Sequence, residues 1–175
     1  MPGSAVVGGA CHALGHGNHA AVSVADMERS LVFYVDLLGL DLVFDSDISP
    51  SPPLDAVVGM DDAAGRVCWL MAGDAMLELW QWDHSQGRPL PEDYRPADRG
   101  VTYFAFVVDN VEETFRRVID SGHSANTEPT DLRMHLTTYV RGPDGEIIEI
   151  LEDRVTDEWQ ARLRARAQDK RAATS

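Results

Sequence analysis

The sequence predicts an α+β protein built from two copies of one strand, helix and three-strand unit. The first observation is a repeat: the stretch Asn18–Leu40 returns in weaker form at Val101–His123. The second is a constant offset, because His19 falls on Tyr103, 84 positions later, and the residues after it stay in register. Self-similarity at a fixed period is the sign of a repeated structural unit. We therefore expect two tandem βαβββ modules, which we call module one (18–82) and module two (100–153).

Module one begins with alternating residues at 19–24, where Ala20, Val22 and Val24 share one face of a strand and His19 lies on the other. A helix with Asp26 as its cap and Gly39 as its terminator follows. The remaining predicted strands are Leu40–Phe44, Arg66–Met71 and Ala75–Trp82. Ser49–Pro53 contains three prolines and is predicted to be a loop.

Module two repeats this order after a proline-rich linker at 83–99. The predicted elements are a strand Val101–Val108, a helix Val111–Ser121, a short strand within Ser124–Thr127, and strands Met134–Val140 and Ile147–Leu151. Residues 1–17 are glycine-rich and are expected to form a flexible arm. Residues 154–175 are expected to form a closing surface helix and tail.

Composition limits the possible partners. Of 175 residues, 44% are hydrophobic and 25% charged, as in ordinary globular proteins. The net charge of −14 disfavours nucleic acid and anionic membranes, so we expect a small-molecule partner. No run reaches the ~18 to 20 apolar residues of a membrane span. The first 17 residues lack the pattern of a secretory signal and two cysteines make no disulfide framework, which predicts a cytoplasmic protein.

Two glutamates occupy equivalent positions near the ends of the modules. Glu78 and Glu149 each lie between apolar residues in the last strand of a module, 71 positions apart. A single such glutamate can be an edge residue or one end of a salt bridge. Because unpaired carboxylates are costly to bury, the repetition favours a shared site.

These segments resemble the glyoxalase/bleomycin-resistance/dioxygenase group, the vicinal oxygen chelate superfamily. The resemblance covers roughly residues 17–153. It rests on His19 with Val24–Asp26, the helix end Phe33–Leu40, Leu77–Leu79, Gly100–Phe106, and the Gly142–Glu149 segment with its Pro-Asp-Gly motif.

The resemblance implies that the two modules form one eight-stranded open-barrel cleft, commonly with a divalent metal ion at its floor. The family's ligand positions carry over to His19, Glu78, Tyr103 and Glu149. Tyr103 departs from the usual histidine, and a neutral phenol is a poor metal ligand. His19, Glu78 and Glu149 remain as a set for Fe, Mn, Zn, Ni or Co, with Tyr103 beside the metal as a donor. Alternatively, the metal has been lost and Tyr103 hydrogen-bonds Glu149.

Strand alternation adds further candidates. Met76, Trp80 and Trp82 share a face with Glu78, and Thr137 and Tyr139 lie on the face of the neighbouring strand that also carries His135. We interpret five of these as substrate-pocket residues: Met76, Trp80, Trp82, Thr137 and Tyr139. The two tryptophans fit a core or dimer interface equally well. His135 is a candidate base, with an ordinary strand histidine as the simpler interpretation.

Such a site favours proton transfer next to a carbonyl. A metal stabilises an enolate or enediolate while a nearby carboxylate moves the proton. We therefore expect an epimerase, isomerase or glyoxalase-like lyase, with Glu149, Tyr103 and His135 as catalytic residues, and a homodimer. One alternative is a metal-free protein that sequesters a ligand such as an antibiotic. A ring-cleaving dioxygenase is a weaker match, because its set of two histidines and one carboxylate is incomplete here.

Overall fold

Module one has the expected order of elements. A computed structural model describes residues 18–84 and 87–154, together with positions 159, 161, 162, 165, 166 and 169. The module contains β1 (His19–Ser23), α1 (Met27–Leu31) with a π-helical continuation (Val32–Leu37), β2 (Asp41–Ile48), α2 (Pro52–Val58), β3 (Gly65–Ala72) and β4 (Ala75–Trp82). Its four strands form one sheet in the order β1-β4-β3-β2.

Module two repeats this arrangement, but its edge strand has only two residues. Its elements are β5 (Tyr103–Val107), α3 (Val111–Asp120), β6 (Thr130–Asp131), β7 (His135–Arg141) and β8 (Ile147–Asp153). The strands form a second sheet in the equivalent order β5-β8-β7-β6. In both sheets the first and last strands of the module are parallel and the other pairings are antiparallel. The predicted α+β class with two tandem modules is thus confirmed, as two open four-stranded sheets.

Helix caps show that the repeat extends to local chemistry. The Asp26 side chain accepts a hydrogen bond from the amide of Arg29, and the Asn110 side chain accepts one from the amide of Glu113. Each cap satisfies an amide that has no partner within its helix. The first helix ends at Gly39, whose φ of +85° lies in the left-handed region where a side chain would be strained.

Both modules share one hydrophobic core on the helix side of the sheets. The core contains Phe33, Tyr34 and Leu79 from module one and Val118 and Ile150 from module two, each almost completely buried. Burial alternates along the strands, so every second residue points away from this core. We call that side the outer face of each sheet. His19, Glu78, Tyr103 and Glu149 all lie on it.

Two local predictions differ from the structure, and a third is described only in part. Pro52 and Pro53 do not lie in a loop but open helix α2, because proline fits the first helical turn, where amides lack partners. The short strand expected within Ser124–Thr127 was wrong: Ala125 forms a single bridge to Val140, and the edge strand is Thr130–Asp131. In the predicted closing helix, the described positions are helical, and the rest of that prediction lies outside the described residues, as does the arm at 1–17.

Candidate metal-binding site

The module-one half of the site is a histidine and a carboxylate that face each other. His19 begins β1 and Glu78 lies on β4, and the strand register places Glu78 opposite Ala21. Nε2 of His19 lies 3.6 Å from Oε2 of Glu78, and the histidine side chain is 39% exposed. The other ring nitrogen, Nδ1, lies 2.6 Å from the side-chain oxygen of Asn18. An amide oxygen only accepts hydrogen bonds, so Nδ1 is the donor to Asn18, and Nε2 is the ring nitrogen that faces Glu78.

This pair has the chemistry of two metal ligands. At 3.6 Å the two atoms are farther apart than in a hydrogen bond, and they form an ion pair only when the histidine is protonated. An imidazole nitrogen and a carboxylate oxygen are both common metal ligands. Two ligands at ~2.1 Å from a tetrahedral ion are about 3.4 Å apart, so a cation fits between them. A histidine whose second nitrogen donates to an oxygen is also the usual arrangement around protein-bound metals. His19 and Glu78 therefore fit a divalent metal ion.

The second oxygen of Glu78 is held by a tryptophan. Trp69 lies opposite Glu78 on β3, and its indole N–H donates to Oε1 of Glu78 at 2.8 Å. Phe44 stacks on Trp69 with ring centroids 4.4 Å apart. The Phe44 ring restrains the orientation of the Trp69 indole, and the indole N–H in turn restrains the carboxylate of Glu78. One oxygen of Glu78 is thus oriented, and the other is left to face His19.

Module two places different chemistry at the equivalent positions. Tyr103 begins β5 where His19 begins β1, and Glu149 on β8 is opposite Ala105 as Glu78 is opposite Ala21. The hydroxyl of buried Thr137 donates to Oε1 of Glu149 at 2.9 Å. Tyr139 takes the place of Trp69 in the register, and its ring lies 5.1 Å from that of Tyr103. This half of the site consists of a carboxylate, a threonine hydroxyl and two phenols.

The Tyr139 phenol stays neutral across the physiological range. Burial, a hydrogen bond with Tyr103 and the negative charge of Glu149 raise the pKa of Tyr139 to about 12. The dominant cause is desolvation, which disfavours the charged phenolate. Tyr139 therefore acts as a neutral hydrogen-bond donor or acceptor beside Glu149.

A single copy of the chain does not gather both halves into one cluster. Among the residues that the structure describes, no group of three or more histidine, cysteine, aspartate and glutamate side chains is arranged to hold one metal ion. His19 and Glu78 thus lie together, whereas Glu149 does not complete a three-ligand group with them. The exposed Tyr103 and Val107 on the outer face of module two show that this face is uncovered in a single chain.

A cavity of about 780 Å³ opens between the unpaired edge of β1 and the start of module two. His19 lies at one end of β1 along this cavity and Ser23 at the other. Trp82, Leu90, Val101, Phe104 and Ile147 supply apolar walls, and Arg88, Asp144 and Glu146 supply charged groups. A cavity of this size accommodates a small organic molecule.

The fold agrees with the comparisons with known proteins. Residues 17–150 match the family model of the Glyoxalase/Bleomycin resistance protein/Dioxygenase superfamily. The chain belongs to this superfamily. A probable lactoylglutathione lyase of Synechocystis sp. is 28% identical over 137 residues, which cover 77% of this chain and 92% of the relative.

Solved structures of the superfamily show the same fold. A glyoxalase family protein from Bacillus cereus aligns with a TM-score of 0.70 at 18% identity, over 82% of this chain and 97% of that one. The trypanothione-dependent glyoxalase I of Leishmania major aligns with a TM-score of 0.57 at 22% identity, over 90% and 96%. Members of the superfamily bind small molecules and often form dimers. In the described part of this chain, no helix has the length and apolar character needed to span a bilayer.

The remaining predicted residues lie in three places. Trp80 and Trp82 stack on each other beyond Glu78, and Trp82 lines the cavity. Met76 lies opposite His19 and is two residues before Glu78 on β4. His135 lies at the far end of β7 opposite Asp153, with Nδ1 3.5 Å from Oδ1 of that carboxylate. Asp153 lies four positions after Glu149 on β8, which is a distance of about 13 Å along the strand. His135 is therefore distant from the site carboxylate.

Sequence reasoning missed the residues that orient the site. Asn18 and Trp69 contact His19 and Glu78, and neither was predicted as a site residue: Asn18 begins the repeated stretch, and Trp69 lies outside it. The available signal was the register of the β3–β4 hairpin around Gly73, which places Trp69 opposite Glu78. Asn18 could be found only from its position next to His19, since side-chain contacts between neighbours leave no periodic pattern.

Proposed function

We propose that the protein is a metal-dependent enzyme of the glyoxalase type, a lyase or isomerase. It moves a proton on a carbon next to a carbonyl in a small molecule with neighbouring oxygens. The observation that carries the proposal is the His19–Glu78 pair, in which an imidazole nitrogen and a carboxylate oxygen face each other at 3.6 Å. The likeness to a probable lactoylglutathione lyase supports this class of reaction.

His19, Glu78 and Glu149 would hold the metal, and Fe, Mn, Zn, Ni or Co suits such a set of imidazole and carboxylates. The metal ion supplies Lewis acidity, which stabilises negative charge on substrate oxygens by several kcal/mol. The chain itself supplies orientation. Asn18 fixes the tautomer of His19, and Trp69 turns one oxygen of Glu78 away so that the other faces the histidine.

Glu149 moves the proton between substrate carbons. Its Oε1 is held by Thr137 at 2.9 Å, which leaves Oε2 available to accept a proton. Tyr103 and Tyr139 lie on the same outer face with their rings 5.1 Å apart. The neutral phenol of Tyr139 donates a hydrogen bond where negative charge develops on a substrate oxygen, and Tyr103 does the same from the start of β5. Lactoylglutathione, the compound in the relative's name, is the first substrate to test.

Two copies of the chain complete the site in this proposal. The half-sites lie on uncovered outer faces, and each face carries exposed apolar side chains, such as Phe44 and Trp69 in module one and Val107 in module two. A symmetric dimer that lays module one of each copy against module two of the other creates two identical sites. Each site then combines His19 and Glu78 of one copy with Tyr103 and Glu149 of the other.

Metal content and proton exchange test the reaction together. The protein, purified without a histidine tag, should bind about one divalent ion per chain by elemental analysis. In D₂O it should exchange the proton on the carbon next to the thioester carbonyl of lactoylglutathione, followed by NMR. Glu149→Gln should slow this exchange about 10²- to 10⁴-fold, the usual value of a positioned base. Less than a tenth of an equivalent of metal, even after reconstitution, would sink the metal-dependent proposal.

Complementation tests the shared site. His19→Ala and Glu149→Gln should each be inactive alone. After mixed refolding or co-expression, half of the dimers are hybrids, and each hybrid holds one site without either change. About a quarter of wild-type activity should therefore return. If no activity returns although hybrids form, each site is built within one chain.

Ligand sequestration is the second candidate function. It is favoured by the aromatic side chains of module one, where Phe44 stacks on Trp69 and Trp80 stacks on Trp82. Tight binding of an unchanged ligand by metal-free protein, without proton exchange, would support it.

A further inference from the structure

A stacked pair of tryptophans extends from the metal-binding carboxylate to the cavity. Trp80 and Trp82 follow Glu78 on the outer face of β4, and their ring centroids are 4.3 Å apart with only 6° between the ring planes. The indole N–H of Trp82 donates to the hydroxyl of Ser23 at 3.2 Å, which holds the ring above the end of β1. The pair is thus fixed in orientation and lies beside the proposed reaction centre.

The fold does not require this pair. Leu77 and Leu79, the neighbours of the tryptophans in β4, fill the shared core, whereas Trp80 and Trp82 are only half-buried on the other face. In β8 the positions equivalent to Trp80 and Trp82 are Leu151 and Asp153. The same strand in module two is therefore built without any aromatic side chain at these positions.

The neighbourhood of the pair is open and apolar. Trp82 lines the cavity, and Gly65, opposite Trp82 on β3, packs directly against the backbone of Gln81 and Trp82. Across the cavity, Leu90 and Val101 form the facing wall. The distance from His19 to Ser23 along β1 is four residues, about 13 Å, which fits a reacting group at one end and a two-ring group at the other.

Charge argues against an anionic substituent at this wall. Arg66, the basic residue of β3, directs its guanidinium to Asp45 and Glu28 and is neutralised there. Within the described lining of the cavity the one arginine or lysine is Arg88, and the carboxylates of Asp144 and Glu146 accompany it. An uncharged, flat group is the chemistry that stacked indoles and aliphatic walls bind best.

We infer that Trp80 and Trp82 bind an aromatic ring system of the substrate, so the substrate is an aryl-bearing carbonyl compound whose reacting oxygens lie at His19 and Glu78. The inference rests on the proposed function for the reacting end only, and that end is the part which lactoylglutathione, a compound without an aromatic ring, tests. The aromatic end is recognised by Trp82 and by the cavity wall of Leu90 and Val101.

Binding of two matched probes tests the inference. 2-Naphthohydroxamate and octanohydroxamate share a head group with two neighbouring oxygens, and they differ in carrying a flat aromatic or a flexible aliphatic tail. Calorimetry with the metal-loaded dimer should show the aromatic probe binding about three- to tenfold more tightly than the aliphatic one. Trp82→Leu should remove this preference, and Trp80→Leu should reduce it. Trp159→Leu, a change at an exposed tryptophan of the C-terminal segment, should leave it unchanged.

The controls separate this inference from the proposed function. His19→Ala should weaken both probes equally, because it removes an interaction with their common head group. If His19→Ala has no effect while the aromatic preference persists, the metal proposal fails and the aromatic site stands. Equal affinity for the two probes in the wild-type protein would overturn the inference. So would a loss of dimer in Trp82→Leu with an unchanged preference, since the pair would then serve the interface. Trp82→Phe, with a smaller ring, should retain part of the preference if the leucine variant does not fold.

Discussion

Module one and module two place different residues on the same scaffold. At the start of the first strand, module one has His19 and module two has Tyr103; opposite the site glutamate, module one has Trp69 and module two has Tyr139. Module one therefore presents a histidine, a carboxylate and an aromatic wall, whereas module two presents a carboxylate with hydroxyl groups. The repeat places both sets on the same scaffold, and in the proposed function metal binding falls mainly to module one and proton transfer to module two.

The largest expected effect concerns metal affinity. His19→Ala removes the imidazole that we propose as a metal ligand and should weaken metal binding at least about 100-fold. This loss is larger than the loss expected when a residue that only hydrogen-bonds to a ligand is removed. Tyr103→Phe at the equivalent position should change it by less than about threefold, because a neutral phenol contributes little to the ion. Competition with a fluorescent chelator measures both. A similar loss in the two variants would show that Tyr103 is also a ligand.

Tyr34 is the next position at which the halves differ. Its hydroxyl donates to Glu146 at 2.7 Å, with both groups buried, and so joins the π-helical continuation of α1 to the turn before β8. The equivalent positions are Val118 and Ala75, which cannot form this bond. Tyr34→Phe leaves a carboxylate oxygen without that partner and should lower the free energy of unfolding by about 1 to 3 kcal/mol.

Urea denaturation followed by circular dichroism measures the effect of Tyr34→Phe. Val118→Ala, at the equivalent position, is the matched control for a purely apolar loss in the same core. A Tyr34→Phe variant as stable as the wild type would mean that this bond does not join the modules.

The pH dependence of Tyr139 gives a smaller effect with a definite sign. Its pKa is raised, chiefly by burial, to about 12, above the ordinary value of 10.0. The unfolded phenol loses its proton first, so the stability that Tyr139 contributes is complete below pH 10 and is lost as the pH rises to about 12. Between pH 10 and 12 the free energy of unfolding of Tyr139→Phe should therefore fall less steeply than that of the wild type. Absorbance titration of the phenols should show one fewer late-titrating tyrosine in the variant.

The parts of the fold that the sequence predicts are those in which the residues follow a periodic pattern. The repeat fixed by His19 and Tyr103, the alternation around Glu78 and Glu149, and the turn at Gly39 each follow a backbone rule, and the strands and helices agree with them. The edge of module two did not follow the repeat, because Thr130–Asp131 pairs where the copy predicted Ser124–Thr127. Edge strands bury little, so the sequence constrains them weakly.

The site was harder to predict than the fold, for a physical reason. Which residues face outwards could be read from strand alternation, but Asn18 and Trp69 act through side-chain contacts that have no period. Whether Glu149 joins His19 depends on how one outer face meets another, which is a matter of tertiary and quaternary packing. Neither alternation nor spacing within a chain carries that information.

The smallest expected effect is at Arg29, which sharpens the view that the modules are joined by buried contacts. Its guanidinium lies 2.6 Å from Asp144, but the arginine side chain is 49% exposed, so solvent screens the pair. Arg29→Ala should cost less than about 1 kcal/mol, well below Tyr34→Phe, although both bonds connect α1 or its π-helical continuation to the same turn. Asp144 also accepts a hydrogen bond from the amide of Ala25, and this bond persists in the variant. A cost for Arg29→Ala equal to that of Tyr34→Phe in urea denaturation would mean that the exposed ion pair is as important as the buried bond.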